Sequence, residues 1–189
     1  MASMGFLYIW RTFSLGASPL ELLTYLVYGF GWIGLYSCST IYHASRHLGR
    51  KAHLRMLDHC AIFMVIAASY GPFVMTAVNT RQGYMIWAVS WLITLGGCLF
   101  KYYSKYRYHA QSTWLYVIQG WMICFSLPTM LRHMSTAAFL WLLLAALSLT
   151  GGIFFYLRDD VKYNHGVWHL CVMLGSVGFY RSIIDLLAS

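Results

Sequence analysis

The sequence predicts an all-α membrane protein, a polytopic bundle of transmembrane helices. Apolar residues make up 60% of the 189 positions and charged residues only 10%. A soluble domain is usually about 45–50% apolar and about 25% charged, so this chain has too few charges to cover a water-soluble surface. The apolar residues also fall into long runs. Ala138-Phe139-Leu140-Trp141-Leu142-Leu143-Leu144 is apolar at every position, which excludes the alternating pattern of a membrane β-barrel strand.

Six stretches read as spans in chain order. They run roughly from Leu22 to Tyr42, Leu57 to Val78, Tyr84 to Phe100, Thr113 to Leu131, Ala137 to Leu157, and Val167 to Leu187. A spanning helix needs about 20 residues, so the chain is filled by a single transmembrane domain over 1–189. Gly96-Gly97 and Gly151-Gly152 read as points of close helix packing. Met1 to Ser18 has no long apolar core before a small-residue cleavage site, so no cleavable signal peptide is expected.

The net charge of +8 reflects thirteen Lys and Arg against five Asp and Glu. These basic residues lie mostly between spans, which implies contact with membrane lipids and argues against nucleic acid. Nine of them (Arg46, Arg50, Lys51, Arg55, Lys101, Lys105, Arg107, Arg158, Lys162) fall on one side of the six-span layout. Arg11, Arg81, Arg132 and Arg181 make four on the other. The positive-inside rule places the richer side in the cytoplasm and both chain ends outside, as expected of a multi-pass cell-membrane protein. The cysteines (Cys38, Cys60, Cys98, Cys124, Cys171) all lie in apolar stretches with no CxxC pair, so they read as packing groups rather than disulfides.

Ionisable groups inside membrane helices are costly and are candidates for function. His43 closes the first stretch, Asp58 opens the second, and His165 and His169 open the last. All four fall at the cytoplasmic ends of their helices. His165 and His169 are four apart and share a helix face, as do Ser39 and His43. Three neutral imidazoles with one open position make the usual catalytic zinc site, although ligand type alone does not settle the metal. Asp58 would accept a proton from water or hold the water in place, and Ser39 would bond the water or a substrate carbonyl. His47, His53, Asp159 and Asp160 read as loop residues, and His109 and His133 as interfacial. His59 points about 100° away from Asp58 around the helix. Arg181 and Asp185 read as a local ion pair, and Trp32, Trp87, Trp91 and Trp114 as part of an interfacial belt.

These residues carry a family resemblance. Ser39-Thr40-Ile41-Tyr42-His43 resembles the S-T-x-Y-H signature of the hemolysin III family. Leu57-Asp58-His59-Cys60-Ala61-Ile62-Phe63, followed by Ala67-Ala68-Ser69-Tyr70-Gly71-Pro72-Phe73, resembles its L-D-H and Y-x-P-F segment. His165-Gly166-Val167-Trp168-His169-Leu170, with Gly175-Ser176 beyond it, resembles its H-x-x-W-H signature. That family is grouped with the progestin and adipoQ receptors and the alkaline ceramidases. The resemblance implies a seven-helix fold, zinc held by His43, His165 and His169, and assistance from Asp58 and Ser39. It also implies hydrolysis of a lipid amide or ester at the cytoplasmic membrane face. The alternatives are a membrane-lytic or pore-forming hemolysin and a ligand-responsive receptor with a structural zinc. Leu54 stands where the receptors have a Ser, which favours the bacterial branch. Six clear spans then correspond to the last six of seven, with Gly5–Trp10 expected as a remnant of the first. Neither substrate nor oligomeric state follows from the sequence.

Overall fold

The computed structural model describes residues 18–104, 109–158 and 160–188, and every element in them is helical. The expected remnant at Gly5–Trp10 lies outside the described residues. In chain order the α-helices are α1 (Pro19–Ala44), α2 (Leu48–Phe73), α3 (Arg81–Ser104), α4 (His109–Trp121), α5 (Leu127–His133), α6 (Thr136–Tyr156) and α7 (Asn164–Ala188). Five segments are long and apolar enough to cross a membrane: Gly49–Val78, Arg81–Ser104, Gln111–His133, Thr136–Tyr156 and Asn164–Ala188. Helix α1 also has the length, at 26 residues, but is not among these five.

Local chemistry sets several ends. Ser18 and Glu21 form a reciprocal capping box, with Ser18 N–H donating to the Glu21 carboxylate at 2.7 Å and Glu21 N–H to Ser18 Oγ at 3.3 Å. Pro19 follows at the first helical position, where its missing N–H costs nothing. Ser135 caps α6 by accepting from Ala138 N–H at 3.2 Å. Pro72 removes one donor near the end of α2, and the helix widens into a π-helical turn over Val74–Val78. Asn79, left-handed at φ 37°, then ends it.

The fourth apolar stretch is not one regular helix. A 3-10 turn over Met122–Ser126 separates α4 from α5, just before Pro128. Lipid cannot satisfy the carbonyls of such a break, and neighbouring helices supply the donors. The Tyr70 hydroxyl donates to the carbonyls of Gln119 and Gly120, and Gln82 Nε2 to that of Phe125 at 3.2 Å. The Gln119 side chain is fully buried and donates from Nε2 to the carbonyls of Phe63 at 3.3 Å and Ser90 at 3.1 Å.

The molecule is apolar outside and partly polar within, the reverse of a soluble fold. Leu92 and Phe125 are 67% and 71% exposed, whereas Ser90, Gln119 and Ser182 are each 0%. Close helix pairs explain how the bundle holds. Gly97 lies against the Phe63 ring, where any Cβ would clash. At Gly152 a Cβ would stand 2.7 Å from Cys171 Cβ and 2.9 Å from the Trp168 ring, so glycine lets α6 approach the start of α7. Ser182 Oγ donates to the Ala138 carbonyl at 2.7 Å and fastens the other end of that pair.

Candidate metal centre

His43 sits in the last turn of α1, and His165 and His169 in the first turns of α7. The chain fixes both neighbourhoods locally. Backbone N–H of Ser45 bonds the carbonyls of Ile41 and Tyr42 and ends α1 just beyond His43. Before α7, Asn164 Nδ2 donates to the Arg158 carbonyl at 2.7 Å, and Tyr163 adopts a left-handed turn at φ 72°.

Packing of α1 beside α7 brings the three rings together. The Nε2 atoms of His165 and His43 are 3.4 Å apart, those of His169 and His43 3.3 Å, and those of His169 and His165 3.1 Å. With zinc–nitrogen bonds of about 2.0–2.1 Å, tetrahedral ligands stand about 3.3–3.4 Å from one another. The triangle therefore fits one face of a tetrahedral metal site, and all three residues form the candidate metal group. His43 is exposed and the other two are half-buried. Behind the triangle the Trp168 ring is buried and packs on Tyr156, with ring centroids 5.1 Å apart. Tyr42 packs on His43 at 4.7 Å.

Asp58, on α2, is 9% exposed. The Ser39 hydroxyl is its hydrogen-bond partner, and His43 and Arg55 act on it electrostatically. Ser39, Asp58, His165 and His169 all border one cavity of about 320 Å³. Beyond that polar mouth its wall turns apolar, with Trp32, Phe73, Met130 and Phe179 among the lining groups.

Thus the structure brings together all five residues singled out in the sequence. His47, His53 and His133 are exposed, as expected, although His53 lies within α2 rather than in a loop, while the His109 side chain and Asp159 lie outside the described residues. Arg181 and Asp185 form the expected ion pair at 3.3 Å. Two further expectations change, at the tryptophans and at Lys101. Trp32 and Trp87 turn inward, Trp32 into the core and Trp87 Nε1 onto the Ala67 carbonyl at 3.1 Å, rather than joining an interfacial belt. Lys101 is not a loop residue: α3 extends past it, and its side chain is buried at 2% exposure. His59 faces away from the triangle, as its helix phase predicts, with Nδ1 3.0 Å from Lys101 Nζ and Nε2 3.2 Å from the Tyr156 hydroxyl. Sequence position beside a span end makes Lys101 look interfacial, and only its helix phase could have hinted otherwise.

Comparison with known proteins places the chain in a family. The "Haemolysin-III related" family model matches residues 1–180. The chain is 28% identical to "Hemolysin-3 homolog" of Bacillus subtilis over 167 residues, covering 88% of this chain and 78% of that one. It is 29% identical to "Hemolysin-3" of Bacillus cereus over 163 residues, covering 86% and 74% respectively. A human relative, "Monocyte to macrophage differentiation factor", is 26% identical over 176 residues, with 86% and 70% covered. No solved structure matches the chain significantly.

Proposed function

Since the chain belongs to the haemolysin-III related family of integral multi-pass membrane proteins, we propose that it is a zinc-dependent hydrolase of a lipid amide or ester, working at the cytoplasmic face. The carrying observation is the triangle of Nε2 atoms at 3.1–3.4 Å, set at the mouth of a mostly apolar cavity. His43, His165 and His169 would hold the ion. Bound there, zinc would polarise a carbonyl and make water acidic near neutral pH.

The chain's own groups complete the chemistry. Asp58 receives the proton of the attacking water and returns it to the leaving nitrogen or oxygen as the acyl bond breaks. Ser39 donates to Asp58 and fixes the carboxylate beside His43. The apolar wall accepts the lipid chain and keeps bulk water from it. A conducting pore needs a polar stripe through the full depth of the membrane. Here Ser39, Asp58, His165 and His169 gather at one end of a cavity whose wall is otherwise mostly apolar, which favours hydrolysis over the lytic activity in the relatives' names.

The test is metal analysis and a lipid-hydrolysis screen on the same purified samples. Wild type should carry one zinc per chain, and His165→Ala/His169→Ala none. Asp58→Asn should keep the metal and lose hydrolysis at least about a hundredfold, the usual size of an acid–base contribution. Wild-type protein without stoichiometric metal would sink the proposal.

A further inference from the structure

The closest helix pairs of the bundle are α1 with α2 and α6 with α7. The candidate metal centre belongs to neither pair alone. Ser39 and His43 stand on α1 and Asp58 on α2, whereas His165 and His169 stand on α7. Whatever holds one pair against the other at the right height therefore decides whether the three ring nitrogens meet.

The joint between α1 and α7 is built on the ligand faces themselves. Tyr36 lies seven residues before His43, and Ser176 seven after His169. Seven residues are about two helical turns and about 10.5 Å of rise, so each hydroxyl residue shares the face of the histidine on its own helix. The helices run in opposite directions, so both residues reach the same level, two turns deeper in the membrane than the triangle. There the hydroxyls of Tyr36 and Ser176 are 2.8 Å apart. Ser176 is buried, and its Oγ donates to the Met173 carbonyl at 2.8 Å within α7, so the Tyr36 hydroxyl is the donor across the joint. About one turn farther along, the Trp32 ring stacks on Tyr36 with centroids 6.0 Å apart and meets the Phe179 ring of α7 at 6.2 Å.

Metal coordination does not tolerate a change of register. Ligand distances hold to about ±0.2 Å, whereas sliding α1 along α7 by one residue moves His43 by about 1.5 Å. The same slide breaks the bond between Tyr36 and Ser176, because hydroxyl pairs bond only out to about 3.0 Å. We propose that Tyr36 and Ser176 are positioning residues for the histidine triangle, their hydrogen bond selecting the register of α1 against α7 in which His43 joins His165 and His169. In the metal-free protein the bond raises the share of molecules whose ring nitrogens already converge, and the apparent metal affinity scales with that share. This role rests on the metal-centre reading and is independent of hydrolysis.

The experiment titrates zinc into the metal-stripped full chain in lipid nanodiscs, against a competing chelator, and follows thermal unfolding of the metal-free samples. Tyr36→Phe keeps the ring on Trp32 and removes the hydroxyl, and Ser176→Ala removes its partner. Each should weaken zinc binding roughly two- to fivefold, up to the size of one buried neutral hydrogen bond, with one zinc still bound per chain at saturation. The double variant should bind no more weakly than either single one, since both remove the same bond. Ser148→Ala is the control, because it removes a 3.0 Å bond from Ser148 Oγ to the Cys171 carbonyl that lies within the α6 and α7 pair. It should lower thermal stability and leave zinc affinity unchanged. Unchanged affinity in Tyr36→Phe, or equal weakening in Ser148→Ala, makes the Tyr36 bond merely structural and overturns the proposal. Losses that add in the double variant overturn it too, because the hydroxyls then act separately. If Ser176→Ala fails to fold, Tyr36→Phe beside Ser148→Ala decides alone. Wild type that binds no zinc removes the metal centre and the positioning role together. Wild type that binds zinc no better than Tyr36→Phe removes the positioning role only.

Discussion

Ser39 and Asp58 show how much one hydroxyl can decide. A carboxylate at 9% exposure needs a partner, because an unsatisfied buried acceptor is costly and mobile. Ser39, one turn before His43, supplies it. Ser39→Ala should therefore leave the metal in place and slow hydrolysis roughly ten- to hundredfold, as expected for a bond to a charged group. Parallel measurement of kcat and metal content checks this. Loss of metal along with activity would make Ser39 a structural group instead. His59 makes the complementary point. It adjoins Asp58 in sequence, yet its ring nitrogens are engaged by Lys101 and Tyr156.

At the scale of helices, the site depends on how closely α6 approaches α7. Gly152 faces Cys171 and Trp168 at distances no Cβ tolerates, whereas Gly151 has nothing within 4 Å. Gly152→Leu should push the first turns of α7 outward and separate His165 and His169 from His43. The expected result is at least about tenfold weaker metal binding, with roughly 1–3 kcal/mol lost from overpacking. Gly151→Leu should change neither. Metal titration and thermal unfolding in detergent read both variants. The break between α4 and α5 follows a different rule. There the carbonyls of Gln119, Gly120 and Phe125 are served by Tyr70 and Gln82 from α2 and α3, so an irregular backbone survives away from water.

For the whole molecule, the charge bias and the metal centre share one end. Exposed His53 near the start of α2 belongs to that end, and Asn79 to the turn at the other end of α2. An impermeant maleimide should add label to His53→Cys, over the wild-type background, only after cells are opened. It should reach Asn79→Cys in intact cells. The reverse pattern would place the histidines outside and reverse the proposed orientation. The helical spans at this level were legible beforehand, because bilayer thickness sets span length, and the basic residues predict the sidedness that the labelling tests.

The sequence by itself determined the helical class, the approximate spans, and two local pairs, Ser39 with His43 and His165 with His169. Those follow from the helix period, which depends on no distant contact. It also marked five candidate site residues, because His43, Asp58, His165 and His169 at span ends are conspicuous against so apolar a background and Ser39 lies one turn from His43. Only the tertiary structure decided that His43 meets the α7 pair at 3.3–3.4 Å, that Lys101 turns inward to His59, and that Trp32 and Trp87 leave the membrane interface. Each of these joins segments far apart in the chain. Which helix face meets which is set by small residues such as Gly97 and Gly152 and by the mutual fit of whole helices, and no spacing within one segment encodes it.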